Sequence, residues 1–143
     1  MARYEIGVSK SQVAATGMIC QLRAGTTRDL RVYEIGVFAS TATSGDIALV
    51  RPTGIGGIFT SSSVGAALDT ASIAGTAVVD TGASTQPTIG TNYMRRMTLP
   101  ASIGAGVIWT FPGGITVPTS GSLAIWQVST TAVTYTVYFD YDE

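Results

Sequence analysis

Histidine is absent from this 143-residue sequence and cysteine occurs once, which excludes most familiar site chemistry before any motif is sought. Without histidine there is no imidazole general base, no Ser-His-Asp or Cys-His constellation, and no example of the commonest metal-ligating side chain. One thiol cannot close an intramolecular disulfide, and no CxxC spacing is present to hold zinc. Cys20 stands among Met18, Ile19 and Leu22, the setting of a buried small hydrophobe and not of an activated nucleophile. A chain of this length hides enough of its own surface to fold as a single domain without such staples.

Charge is scarce too. Only 12% of residues are ionisable, about half the usual share, and eight basic residues face nine acidic ones for a net charge of −1. That balance carries no basic stripe and excludes an electrostatic claim on nucleic acid. With a mean hydropathy of +0.35, the exterior must be mainly Ser, Thr and Gly, or much of it must be covered by partners, and a substantial share of partner cover is expected. Long apolar runs are missing as well. No stretch approaches the 18 residues of a spanning helix, so no membrane is expected. The opening Met1-Ala2-Arg3-Tyr4-Glu5 shows charge where a signal peptide would be apolar, and the expectation is synthesis and folding in the cytoplasm.

What the sequence does contain is strand. Segments 3–8, 17–23, 29–39, 46–51, 77–80, 93–99, 107–111, 122–129 and 133–141 are rich in Val, Ile, Thr, Tyr, Phe and Trp and are bounded by Gly, Pro, Ser and Thr. The last is the clearest, with Val133, Tyr135, Val137, Phe139 and Tyr141 alternating with Thr134, Thr136, Tyr138 and Asp140. In the third, the alternation changes phase near Tyr33, which predicts a bulge or burial on both faces, and Gly36 marks a close approach of another backbone. Only 64–74, with Asp69 in its middle, has room for a short helix. The expectation is an all-β fold: a jelly-roll-like antiparallel β-sandwich of about eight strands in one domain, 1–143. Within it, 53–90 is rich in Gly, Ser, Thr and Ala, lacks Trp and Tyr, and reads as a loop excursion that contacts a neighbour. One echo stands out: Tyr4-Glu5-Ile6-Gly7-Val8 recurs as Tyr33-Glu34-Ile35-Gly36-Val37, which reads as two strands that pair in one sheet, as two strands with equivalent packing roles, or as coincidence.

Motifs for chemistry are thin. Val78-Val79-Asp80-Thr81-Gly82-Ala83-Ser84 resembles the active-site loop of retropepsin-type aspartic proteases, in which two aspartates share a proton. Here Asp80 lies past the midpoint of the chain and no Gly-then-helix element follows, so an aspartate opening a turn before Gly82 is the simpler reading. The acidic end, Asp140, Asp142 and Glu143, lacks the spaced loop of a calcium site and reads as a solvated strand end. No catalytic residue, cofactor or metal is expected, and the protein is read as non-enzymatic. Arg95 and Arg96, adjacent on a strand, point to opposite faces, and one of them should meet a carboxylate. Tyr33, Phe38, Trp109, Phe111, Trp126, Tyr135 and Phe139 are assigned to the core or to a self-interface, because aromatics supply the largest buried area per residue.

Three stretches carry a family resemblance: Leu30-Arg31-Val32-Tyr33-Glu34-Ile35-Gly36-Val37-Phe38; Arg96-Met97-Thr98-Leu99-Pro100 with Gly104-Ala105-Gly106-Val107-Ile108-Trp109; and Pro118-Thr119-Ser120-Gly121-Ser122-Leu123-Ala124-Ile125-Trp126. Together they resemble small virion-associated proteins of tailed bacteriophages that decorate or cement the capsid. The resemblance implies a jelly-roll subunit, commonly a homotrimer, that sits on the virion surface, binds the major capsid protein and stabilises the head. Neck, tail and fibre proteins share such folds, so a carbohydrate- or receptor-binding role there is the alternative. The expected partner contacts lie in the N-terminal segment 1–8 and the excursion, at Arg3, Tyr4, Glu5, Ile6, Ile55, Ile58 and Phe59.

Overall fold

The computed structural model describes residues 2–68 and 74–143, and these fold into eleven strands without a helix. In chain order they are β1 (Arg3–Gln12), β2 (Gly17–Arg23), β3 (Leu30–Ala39), β4 (Gly45–Val50), β5 (Ser61–Val64), β6 (Ala66–Ala67), β7 (Val78–Thr81), β8 (Arg95–Leu99), β9 (Gly106–Val117), β10 (Ser122–Gln127) and β11 (Val133–Asp142). Two antiparallel sheets result, sheet A in the order β6-β1-β11-β3-β9 and sheet B in the order β5-β7-β2-β10-β4-β8. The pairings β1 with β11, β2 with β10, β3 with β9 and β4 with β8 are nested, as in one long double ribbon folded across both sheets. That nesting is the jelly roll expected from the strand-rich sequence. Segments β5 to β7 are an insertion at the far tip of the ribbon, between β4 and β8.

The insertion is therefore not one continuous loop. β5 and β7 extend sheet B and β6 extends sheet A, on the side where β1 and β2 lie. The window 64–74, which had room for a short helix, begins instead as strand: Val64 ends β5, while Ala66 and Ala67 pair with Glu5 and Tyr4. Alanine's helix preference is worth only tenths of a kcal/mol per residue, and an unpaired sheet edge outweighs it. The rest of that window, including Asp69, lies outside the described residues.

Core formation follows from the alternation. Tyr135, Val137, Phe139 and Tyr141 of β11 point between the sheets, and their largest side chains are fully buried with Tyr4 and Ile35. The echoed pentapeptides flank β11 in the same register. Ile6 and Ile35 both face Phe139, Val8 and Val37 both face Val137, and Gly7 and Gly36 both face Tyr138. Tyr33 is an extra residue between Val32 and Glu34, where the ladder to β11 shifts, so the phase change read in the sequence is a bulge. Gly36 does mark a close approach, but of a ring and not of a backbone: a Cβ there would overlap the Tyr138 side chain. That ring stacks with Phe38 on the outer surface of sheet A, at a centroid separation of 6.4 Å.

Candidate interaction surface

Part of the outward face of sheet B is apolar. Met18, Ala48, Val50, Ala124 and Trp126 form a second buried cluster on the side facing away from the main core. In an exposed sheet these positions would be polar. They are buried because the insertion folds back over them. Its two arms are joined by bridges Gly54–Thr88 and Gly57–Thr85, and Phe59, Ala83 and Ile89 pack onto the cluster. Two glutamines fix the cover in place: Gln21 Nε2 donates to the Ile55 carbonyl at 2.8 Å, and Gln86 Oε1 accepts from Met18 N–H at 2.8 Å. A cover of small residues buries little area by itself, so such polar anchors set its position.

Asp80, the one residue with a protease-like context, belongs to this attachment. Its carboxylate is fully buried and accepts from Arg23 Nε at 2.8 Å, Arg23 Nη2 at 3.2 Å and Ser62 Oγ at 2.6 Å. The hydrogen bond that it donates to Asp80 holds the Arg23 guanidinium above its usual pKa. A carboxylate paired in this way is a structural anchor joining β2, β5 and β7, and no second aspartate among the described residues shares its site.

The edge on the other side of the sandwich is open. Sheet A ends in β9 and sheet B in β8, and each has a hydrogen-bonded partner on one flank only. Five of the nine exposed large hydrophobic residues among those described lie in this region: Tyr93, Met94, Met97, Ile103 and Ile108. The arginines of β8 behave as their alternation predicts. Arg96 pairs with Asp46 on the outer side, which raises its pKa, and packs 5.8 Å from the Tyr93 ring centre. Arg95 points toward the gap between sheets and lies 5.5 Å from the Phe111 ring centre. The β5 and β6 edges are four and two residues long, whereas β8 and β9 run for five and twelve. Short edges resist pairing with another chain; long ones with apolar flanks invite it.

The expected contact residues divide. Tyr4 and Ile6 are corrected to the core, at 0% and 7% exposure, because the β1 alternation turns them inward. Arg3 and Glu5, in the other row, are exposed, with Arg3 Nε donating to Asp140 at 2.8 Å and its guanidinium 5.0 Å from the Tyr33 ring centre. Ile55 and Phe59 are partly covered within the insertion, while Ile58 at its tip is 81% exposed with a φ of 48°. Left-handed backbone is rare for a β-branched residue and accompanies sites under functional constraint. Trp109, Tyr135 and Phe139 are buried in the main core and Trp126 beneath the insertion, whereas Tyr33, Phe38 and Phe111 are only partly covered. The acidic end is also corrected. Glu143 is buried, and its carboxylate accepts from Thr76 N–H at 2.8 Å and from the Thr76 hydroxyl. Cys20 is buried, and burial pushes its thiol pKa up.

No family model, curated protein or solved structure matches the chain. Sequence reasoning missed the β8–β9 edge as a surface because edge status depends on strand order. The available signal was Met94, Met97, Ile103 and Ile108 clustering around two strands.

Proposed function

We propose that this protein is a structural subunit of a tailed-bacteriophage particle, a capsid decoration (cement) protein that binds itself and the outer surface of the major capsid protein shell. The open β8–β9 edge carries the reading: a jelly roll that conceals apolar rows under its own insertion nevertheless leaves Met97, Ile103 and Ile108 uncovered at two unpaired strands. β8 of one copy against β9 of the next makes a head-to-tail contact, which closes into a ring when the rotation allows, as in a homotrimer. Ile58, Arg3 and Glu5 lie away from that edge and are available to the shell. A carbohydrate-binding role would need Trp or Tyr rings lined up on an exposed face, and both tryptophans, Trp109 and Trp126, are buried. Jelly rolls serve many roles, so the fold adds only compatibility.

Sedimentation of the purified chain at micromolar concentration tests the self-contact. The expected result is a trimer that Met97→Lys with Ile108→Lys converts to folded monomer. A wild-type chain that stays monomeric sinks the self-association. Cosedimentation with phage heads lacking this protein tests the shell contact, and its absence for wild type sinks the capsid assignment.

A further inference from the structure

The only lysine of the chain is Lys10, and it sits in the inward row of β1 with Tyr4, Ile6 and Val8. Its ammonium ends beside Gly82, at one end of the gap between the sheets, in a cavity of about 250 Å³. Gln12, Val13, Met18, Thr60 and Gln86 line the same cavity. Among the described residues the ion pairs are Arg3–Asp140, Arg23–Asp80 and Arg96–Asp46, so Lys10 has no carboxylate partner. Gln12 is 9% exposed, and its side-chain amide makes no hydrogen bond with the described residues. Gln86 is occupied, accepting from Met18 and donating to Ala83. Gly17 keeps the space open, since a Cβ there would lie 3.3 Å from both Gln12 Nε2 and Gln86 Oε1.

Among the described residues, the half-buried Lys10 ammonium and the neighbouring Gln12 amide therefore line one cavity with no protein partner for either. A ligand that brings a negative oxygen to Lys10 and a hydroxyl or carbonyl to Gln12 partners both groups. The geometry points to a binding site for a small hydroxylated carboxylate, a sugar acid, with its carboxylate on Lys10 Nζ and its hydroxyls on Gln12 and on Thr60 Oγ1, which donates to the Gly82 carbonyl at 3.0 Å and is left to accept. One cation suits a monoanion; a phosphate dianion is normally met by an arginine fork, several backbone N–H groups or more than one charge. Val13 and Met18 supply an apolar floor for the ring face. This site is independent of the β8–β9 edge and of the proposed function.

Amide-resolved NMR titration of the full chain at constant ionic strength tests it, with glucuronate, its methyl ester, acetate and inorganic phosphate as probes. Glucuronate is expected to shift the Gly82 and Gln86 amides saturably, and the neutral ester and phosphate to bind at least tenfold more weakly. Lys10→Met is expected to keep the fold, with an equal or higher melting temperature, and to weaken glucuronate at least tenfold. Gly17→Ala, which narrows the cavity, is expected to weaken it as well. No saturable shift, equal binding by the ester, or unchanged binding in a folded Lys10→Met protein overturns the site. Acetate binding as tightly as glucuronate overturns the assignment to a sugar acid.

Discussion

The outer faces of the two sheets are made from the same kinds of strand and have opposite fates. On sheet A the central strand β11 turns Thr134, Thr136, Tyr138 and Asp140 outward, beside Arg3, Glu5 and Glu34 of its neighbours, and none of these residues is buried. On sheet B the central strand β10 turns Ala124 and Trp126 outward, beside Met18, Ala48 and Val50, and all five are buried beneath the insertion. The difference revises the argument from low charge. A sequence with few ionisable groups needs cover for apolar surface, and part of that cover comes from the chain itself. What remains for partners is smaller and more specific, namely the β8–β9 edge and the tip at Ile58.

Breaking the covered face should have the largest effect. Trp126→Ala is expected to cost about 3–5 kcal/mol, as for a large aromatic removed from a packed site, measured by chemical denaturation. If it costs no more than an exposed substitution, the insertion does not stay on sheet B in solution. Asp80→Ala comes next, at about 2–3 kcal/mol, because Asp80 is fully buried while its partner Arg23 remains partly solvated. It is also expected to raise hydrogen exchange in β5 and in the insertion arms while the β1–β11 ladder stays protected. Uniform exchange across both would mean that Asp80 supports the whole sandwich equally.

A gentler probe acts on both sides of β11. Burial pushes the Tyr135 hydroxyl up to about 12, and burial with the hydrogen bond to Glu34 pushes Tyr138 up to about 12. The folded state then keeps protons that the unfolded chain releases near pH 10. Their contribution is complete below pH 10 and is lost as pH rises through about 12, so stability should fall over that window. Denaturation midpoints at stepped pH check this, and a flat profile to pH 12 contradicts it. The smallest effect is expected on the bare face: Thr136→Ala should change stability by no more than about 0.5 kcal/mol. A larger loss there would show that sheet A's outer face is also covered in solution.

Much of the fold was legible because β-structure writes its period into the chain. The alternation from Val133 to Tyr141, the bulge at Tyr33 and the matched pentapeptides all follow from side chains that must face either core or water. The candidate surface was legible only in part. Arg3, Glu5 and Ile58 are exposed as read, but Tyr4 and Ile6 belong to the inward row of the same strand, a distinction that the period already contained. Of the insertion only β7 was read, as the strand 77–80, because β5 and β6 are short strands of Ser and Ala that carry no periodic signal and take their place from β7 and β1.

The sequence by itself determined an all-β body, its inward rows, a buried Cys20 and the absence of any histidine-dependent site. These depend on local period and composition, which need no knowledge of neighbours. Only the tertiary structure decided that the insertion covers sheet B, that β8 and β9 are left as open edges, and that Lys10 faces the gap between the sheets without a counter-ion among the described residues. Each of those outcomes depends on strand order across the whole molecule. Strand order is set by pairings between residues far apart in the chain, whose free energies no single segment contains.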